Sequence, residues 1–218
     1  MTHTLLTLLS WLSPVFPTGG FAYSAGLETA AAEDRMKDAA QLEERLRTLL
    51  HHGAPWNDAV LLIAAHSAAD DSEAIDEFTA LARALCGSAE RLRETLDQGR
   101  AFRTAAMPWF DETTAPLPED ASLPITLGVA SARYSLPTQE TAAAFLHAFV
   151  SAQLQAAIRL SITGQSGAAA TLARLEPDIG QVVERATKAK IDDLGTCTLA
   201  AEIDALRHET LPGRLFLS

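Results

Sequence analysis

Residues Ser10–Glu28 read SWLSPVFPTGGFAYSAGLE, and this stretch constrains the backbone more than any other segment of the chain. Proline fixes its own φ angle and pushes the preceding residue out of the α region. Pro14 and Pro17 therefore predict that an incoming helix ends near Trp11. Gly19-Gly20 then allows a sharp turn or a close approach to a neighbouring segment.

A second helix is expected to follow the glycines, with Thr18 as a candidate N-cap. On that helix Tyr23 and Leu27 would lie four residues apart on one face. Ala22 and Ser24, the neighbours of Tyr23, are small. We therefore expect the Tyr23 hydroxyl to be exposed while its ring rests on Leu27. An ordinary helix–loop–helix corner in a core would show the same pattern.

The composition predicts a globular chain with an acidic surface. The length of 218 residues suits one domain of ordinary to large size or two small ones, and 48% apolar residues suit a substantial core. The formal net charge of −11 argues against binding to nucleic acid or to an anionic membrane and favours partners with basic patches. The first residues lack a signal-peptide shape, and the longest apolar run, 59–65, is too short to span a bilayer. Cys86 and Cys197 are expected to be small core residues, which fits a cytoplasmic protein.

The hydrophobic period is helical along the whole chain, and no useful β-type alternation appears. The helices around Val60 and Phe149 are apolar on nearly every side, so we expect them at the centre of the fold. Four prolines fall within 107–124, which predicts a long mobile loop. The pattern as a whole predicts an all-α fold, a single-domain bundle of about ten helices over residues 1–218.

Capping residues mark where several helices should begin. Asp38 and Ser72 are candidate N-caps, whereas Pro55 and Pro177 are candidate first-turn residues. A last helix, ending before Pro212-Gly213, carries an apolar stripe of Leu199, Ile203 and Leu206.

No sequence motif for catalysis is found. Gly19-Gly20 is not followed by the Lys-Ser/Thr of a phosphate-binding loop, and no strand-turn-helix elbow presents a serine. His66 and His147 lack the Glu three residues earlier that a di-iron bundle needs. His51-His52 could bind a transition metal, but two histidines in the last turn of a helix more often favour its negative end. We therefore predict no enzyme activity, no catalytic residue, no metal site and no cofactor.

Several polar residues fall on helix faces that should be buried, namely Gln98-Gly99-Arg100, Gln153 and Arg159. Such side chains either satisfy helix ends in the core or serve a partner surface. The residues alone are consistent with a scaffold that binds other proteins. A helical ligand-binding or regulatory module, with residues 10–28 as a lid, is the alternative, and an enzyme of unrecognised type is the third possibility.

The Ser10–Glu28 stretch also resembles the signature of the urease accessory protein F (UreF) family, roughly S-P-x-x-P-x-G-x-F-x-Y-S-x-G-L-E. The matching residues are Ser13, Pro14, Pro17, Gly19, Phe21, Tyr23, Ser24, Gly26, Leu27 and Glu28. Further matches follow in the family's order at 58–59, 98–100, 159–160, 164–165, 208–209 and 214–216. Leu217 replaces the basic residue usual after the family's Arg-Leu-Phe ending, which puts one tail charge contact in doubt.

This resemblance implies a helical homodimer that is not an enzyme but a maturation factor for urease, a nickel enzyme. Family members join another accessory protein, UreD or UreH, and recruit the GTP-hydrolysing nickel carrier UreG. The assembly delivers nickel to the urease apoprotein. We therefore expect a cytoplasmic chaperone with these partners, and no nucleic acid or membrane among them.

Two segments are expected to carry the partner surfaces, the signature and a docking tail at 208–218. The tail keeps large apolar residues beyond the last helix, which is typical of a docking segment. Its deletion from Glu209 onward is expected to leave the fold intact but to weaken binding to UreD/UreH. Glu28 is expected on the rim of the signature surface, where it would meet a basic group on UreG. The predicted partner-binding residues are Phe21, Tyr23, Glu28, Gln98, Arg100, Arg159, His208, Glu209, Arg214, Leu215 and Phe216.

Overall fold

A computed structural model of the chain describes residues 2–111 and 113–218. Met1 of the predicted domain and Glu112 of the predicted loop lie outside the described residues. Within them the chain forms ten α-helices and three short 3₁₀ helices, with no strand. The α-helices are α1 (Thr2–Trp11), α2 (Leu27–Ala32), α3 (Ala39–His52), α4 (Ala54–Ser67), α5 (Ser72–Ala84), α6 (Ala89–Ala106), α7 (Leu123–Arg133), α8 (Thr138–Arg159), α9 (Gln165–Lys188) and α10 (Leu199–His208). The predicted all-α, single-domain fold is confirmed.

Helix α4 lies at the centre of the fold and packs against α3, α5, α7, α8 and α9. Its contact with α7 is close, because a Cβ atom added to Gly128 would lie 2.5 Å from the Leu62 carbonyl oxygen. Val60 and Leu62 are buried. The prediction of a central Val60 helix is therefore confirmed.

Helix α8 is the second central element. It packs against α9, α4 and α7, with Leu146 and Val150 fully buried. By length and composition it is apolar enough to match a membrane span, and half of its most apolar window is buried inside the protein. A helix in a protein core that is apolar on most sides has the same composition as a membrane span.

The caps are confirmed in part. The Asp38 side chain accepts hydrogen bonds at the start of α3, and Pro55 lies in the first turn of α4. Asp71, rather than Ser72, caps α5. Pro177 lies inside α9 and begins no new helix, so that prediction is wrong. The proline is exposed, so the carbonyl group that loses its N–H partner can be hydrated without ending the helix.

The proline-rich loop between α6 and α7 is held in place by arginine side chains. They donate to backbone carbonyl oxygens of the loop: Arg83 to Asp120 (2.8 Å), Arg103 to Leu117 (3.0 Å), and Arg133 to Ala115 (2.8 Å) and Pro116 (2.7 Å). Leu117 and Ala121 are buried beneath it. These contacts attach a segment whose prolines had suggested mobility.

The two cysteines do not lie in helices. Cys86 is half-buried just after α5, and Cys197 is exposed in the connection between α9 and α10. The expectation of two small core residues is therefore wrong for Cys197, because its Thr-Cys-Thr surroundings form a surface connection.

Candidate protein-interaction site

The signature segment does not form the continuous helix predicted for it. Residues Gly20–Ala22 make one 3₁₀ turn, and α2 begins only at Leu27. Between them Ala25 and Gly26 have positive φ angles of 50° and 74°, which interrupt any helix. Consequently Tyr23 and Leu27 do not share a helix face.

Gly26 also allows α10 to approach the signature closely. A Cβ atom added to Gly26 would lie 2.6 Å from the backbone nitrogen of Ala205. No larger residue fits at this position without a backbone shift. The small residues of the signature therefore accommodate the last helix of the same chain.

The tail runs beside the 3₁₀ turn and is hydrogen-bonded to it. The backbone N–H of Leu217 donates to the carbonyl oxygen of Ala22 (2.7 Å). The backbone N–H of Ser24 donates to the carbonyl oxygen of Ser218 (2.6 Å). Phe216 is buried and belongs to the hydrophobic core.

Glu28, at the start of α2, accepts hydrogen bonds from the tail backbone. Its Oε1 accepts from the N–H of Leu215 (2.7 Å), and its Oε2 accepts from the N–H of Phe216 (3.1 Å). Only 5% of Glu28 is exposed, so its predicted place on an outer rim is wrong. The carboxylate is used inside the molecule.

His208, the last residue of α10, is fully buried between two carboxylates. Its Nε2 lies 3.0 Å from Oε2 of Glu28, and its Nδ1 lies 2.7 Å from Oε2 of Glu90. Each ring nitrogen therefore faces a carboxylate oxygen. Arg214 from the tail pairs with the other oxygen of Glu90. We call Glu28, Glu90, His208 and Arg214 the tail clasp.

The tail clasp joins two acids, Glu28 and Glu90, to two bases, His208 and Arg214. Burial by itself would raise the pKa of Glu28. The hydrogen bonds from His208 and from the Leu215 and Phe216 amides outweigh burial, so that the pKa of Glu28 is lowered. Glu28 therefore stays ionised and keeps its hold on the tail at neutral pH.

Arg159, at the end of α8, joins the 3₁₀ turn to the tail. Its Nη1 donates to the carbonyl oxygen of Phe21 (2.8 Å). Its guanidinium also lies over the Phe216 ring, 4.2 Å from the centroid, in a cation–π contact. The structure thus brings Arg159 into the same site as the tail clasp.

Three large apolar side chains on these bonded segments face outward. Phe21, Leu215 and Leu217 are exposed to 68%, 61% and 58%. We call them the exposed apolar patch. Phe216, between two of them, is buried and turns inward.

Tyr23 is buried, with 6% of its surface exposed, so the predicted exposed hydroxyl is wrong. The backbone at Tyr23 is extended, and the chain leaves the 3₁₀ turn there. Burial raises the pKa of Tyr23, and the carboxylates of Glu94 and Asp97 on α6 raise it further. The side chain is therefore packed inside the molecule and not toward solvent.

The remaining predicted residues lie around α6. Gln98 is buried and donates to Glu94 (3.3 Å), which also lies 3.5 Å from the Ser218 hydroxyl. Glu209 accepts from the N–H of Ala89 (2.9 Å) at the start of α6. Arg100 is not brought to the tail clasp. It pairs with Asp97 and Asp120 on the exposed side of α6.

Glu90 is the member of the tail clasp that sequence analysis missed. It stands in the first turn of α6, where an acid is ordinary, and nothing in its neighbourhood points to a partner at residue 208. His51, which together with His52 was a candidate metal ligand by sequence, contacts Asp178 of α9 (2.8 Å). Across residues 2–111 and 113–218, no group of His, Cys, Asp and Glu side chains could hold a metal ion.

Comparison with known proteins identifies the family. The family model named UreF matches residues 36–176. The Urease accessory protein UreF of Agrobacterium fabrum is 47% identical over 214 residues, covering 98% of this chain and 96% of that protein. The Urease accessory protein UreF of Brucella ovis is 46% identical over 217 residues, covering 100% and 95%. The chain belongs to the UreF family. The resemblance of the signature is thereby confirmed.

A third UreF relative, from Rhizobium johnstonii, is 45% identical over 216 residues. Membership makes this chain a urease accessory protein and not an enzyme, with a role in the maturation of urease. The tail clasp and the exposed apolar patch are accordingly features of a UreF protein that acts on other proteins.

Proposed function

We propose that this UreF protein is a scaffold that bridges UreD/UreH and the GTPase UreG. In this role it assists GTP-dependent insertion of nickel into the urease apoprotein. The observation that carries the proposal is the tail clasp, a network of two acids and two bases around the buried His208 that fixes a terminal segment while leaving apolar side chains outside. A terminal segment without such a partner network is usually poorly ordered.

The exposed apolar patch provides the direct contact with a partner in this proposal. Aromatic and large apolar side chains at the centre of an interface carry most of its binding energy. Because the tail is already ordered, its binding loses less conformational entropy than that of a free tail. Phe21 and Leu215 contact the partner, and the tail side of the patch is assigned to UreD/UreH.

Five members of the predicted set act as positioning residues. Glu28, His208 and Arg214 hold the tail through the tail clasp, and Arg159 and Phe216 join it to the 3₁₀ turn. Of the remaining predicted residues, Gln98 and Arg100 lie on α6, Glu209 bonds to the start of α6 from the end of α10, and Tyr23 is buried in the signature.

A homodimer is part of the proposal, and α1 is its proposed contact. Leu5, Leu6 and Leu9 of α1 are all exposed, and α1 contains no Lys, Arg, Asp or Glu. The chain carries a formal charge of −11, so two copies repel each other over most of their surfaces. An uncharged apolar face lets them meet without that repulsion.

A cytoplasmic location also belongs to the proposal. Cys86 and Cys197 are both free, as is usual for proteins in a reducing compartment. The acidic charge speaks against nucleic acid or an anionic membrane as partner.

Phe21→Ala and Leu215→Ala test the scaffold role. Both variants should unfold like the parent chain, fail to co-elute with UreD/UreH and UreG, and activate urease poorly in a reconstituted assay. Val15→Ala is the matched control, because Val15 is exposed but lies outside the exposed apolar patch. Co-elution of the two patch variants at the level of the control would contradict the proposal.

A further inference from the structure

A cavity of about 140 Å³ lies where α4, α6 and α10 meet, and it contains none of the tail-clasp residues. We call it the α10 cavity. Its apolar wall consists of Leu49, Leu61, Ala82 and Leu85. Helix α10 lines it with the small residues Ala201 and Ala205, which leave the space beneath the helix open. Thr196 at its edge is exposed, so the cavity reaches solvent.

The polar part of the α10 cavity has more acid than base. Arg91 pairs with Asp58 and lies 3.3 Å from Oε2 of Glu94. One guanidinium group is therefore the cationic partner of two carboxylates. Burial raises the pKa of both Asp58 and Glu94 even though Arg91 opposes the effect. With both acids ionised, one negative charge remains without a cationic partner.

A buried hydroxyl group in the same cavity has no hydrogen-bond partner. Ser122 is 2% exposed, lines the cavity, and its Oγ is unpaired within the described part of the chain. It precedes α7 but its side chain makes no cap hydrogen bond. A buried hydroxyl is normally satisfied, so this oxygen marks a place for a donor.

We propose that the α10 cavity binds a primary alkylammonium group, supplied by the lysine side chain of a partner protein or by a free amine. An ammonium group has three N–H donors and one positive charge. Asp58, Glu94 and Ser122 offer acceptors, and the excess carboxylate offers the opposite charge. The apolar wall packs against an alkyl stem, as such stems pack along apolar surfaces elsewhere.

The size and lining of the cavity favour this ligand over a metal ion. The cavity has the volume of about four or five water molecules in the liquid. This is close to the size of a lysine side chain, which has five heavy atoms. An apolar wall offers a metal ion no ligands. The inference is independent of the partner assignments proposed above.

The test titrates n-butylammonium chloride and the peptide acetyl-Gly-Lys-Gly-amide into the full chain. Backbone amide NMR signals of residues 58, 94 and 122 are followed, with sodium chloride and n-butanol as matched controls. We expect saturable shifts with n-butylammonium that the two controls do not produce. Asp58→Asn and Ser122→Ala should each weaken binding, the former at least tenfold. Ala201→Leu, which narrows the cavity, should weaken it as well.

Asp76→Asn is the matched control for charge, because Asp76 is an exposed acid on α5. It should bind n-butylammonium like the parent chain. Ser122→Ala removes a hydroxyl that has no hydrogen-bond partner within the described part of the chain, so this variant should fold like the parent chain. A loss of binding in this variant is then not caused by unfolding. Saturation by the peptide as well would support a partner lysine, and saturation by n-butylammonium alone would support a free amine. Shifts that rise without saturation, that n-butanol reproduces, or that survive in Asp58→Asn and Ser122→Ala would overturn the inference.

Discussion

Glu28 sets the position of a whole terminal segment with a single carboxylate. It accepts from two successive tail amides and from a buried histidine. Hydrogen bonds to a charged acceptor are stronger than neutral ones. Exposed ion pairs of the same chain, such as Lys188 with Glu184, contribute little because water and salt screen them. The tail therefore depends on a few buried contacts and not on the many charges at the surface.

Glu28→Gln tests this dependence. The variant keeps the shape of the side chain but leaves the buried His208 ring and two tail amides without the carboxylate charge that they face. Removing one member of a buried charge pair lowers the free energy of unfolding by about 3 kcal/mol. Urea denaturation would measure the change. Glu44→Gln, at an exposed glutamate, is the control and should stay within about 0.5 kcal/mol of the parent chain. Equal stability of the two variants would count against the tail clasp.

Tyr23 and Phe21 lie two residues apart and should respond to truncation in opposite ways. Tyr23 is buried, so Tyr23→Ala should cost about 3–5 kcal/mol of unfolding free energy. Phe21 is exposed, so Phe21→Ala should change it by less than about 0.5 kcal/mol. Thermal melts of the two variants check this before any binding assay. A large loss in Phe21→Ala would show that the exposed apolar patch belongs to the core.

The hold of Glu28 on the tail should weaken in acid. A carboxylate whose pKa is lowered by folding contributes stability above its unfolded pKa and loses it as pH falls through the folded pKa. The ordinary pKa of the group is 4.5 and the folded pKa lies below it. The amide NMR signals of Leu215 and Phe216 should therefore shift with a midpoint below pH 4.5. A midpoint at or above that value would contradict the assignment.

Helix α10 is attached by polar residues, although its sequence carries an apolar stripe. Asp204 and His208 are its buried residues, and Asp204 pairs with Arg45 (2.6 Å). Leu199, Ile203 and Leu206 are all exposed. Hydrophobic periodicity thus identifies a stripe on a helix without telling which way the stripe faces. Charged side chains with buried partners determine the orientation here.

The tail contains a matched pair of residues with opposite environments. Phe216 is buried, so Phe216→Ala should lower the unfolding free energy by about 3–4 kcal/mol. Leu217 is exposed, so Leu217→Ala should change it by less than about 0.5 kcal/mol. Denaturant titration of both variants measures the difference. A loss of stability in Phe216→Ala would contradict the expectation that the tail can be removed without harm to the fold. An unchanged Phe216→Ala variant would support that expectation.

The long helices could be predicted from sequence because their apolar residues recur at helical spacing over many turns, as around Val60 in α4 and Leu146 in α8. The signature helix could not, because the positive φ angles at Ala25 and Gly26 accompany the close approach of α10, which local sequence does not contain. The tail clasp could not be predicted from sequence for the same reason. Glu28, Glu90 and His208 come from three distant segments, and only the fold brings them together.

The molecule as a whole is acidic, and this limits where two copies can meet. If α1 forms the homodimer contact, Leu5→Glu and Leu9→Glu should yield monomers, because each places a charge on the uncharged face. Leu199→Glu on α10 is the control, since Leu199 is also exposed but lies on another helix. Sedimentation velocity distinguishes the species. A monomer from Leu199→Glu, together with dimers from both α1 variants, would move the contact to α10.

The proline-rich loop is attached by arginine side chains that donate hydrogen bonds to its backbone carbonyl oxygens. These hydrogen bonds do not depend on the side chains of the loop. A chemical label on a loop side chain should therefore leave the loop attached to the helices. Ala115 is exposed and its carbonyl oxygen accepts from Arg133, so Ala115→Cys would carry a fluorophore on a fixed support. With Cys197→Ser removing the exposed native thiol, the dye would report the assembly of the maturation complex in real time, from a site remote in sequence from the signature and the tail.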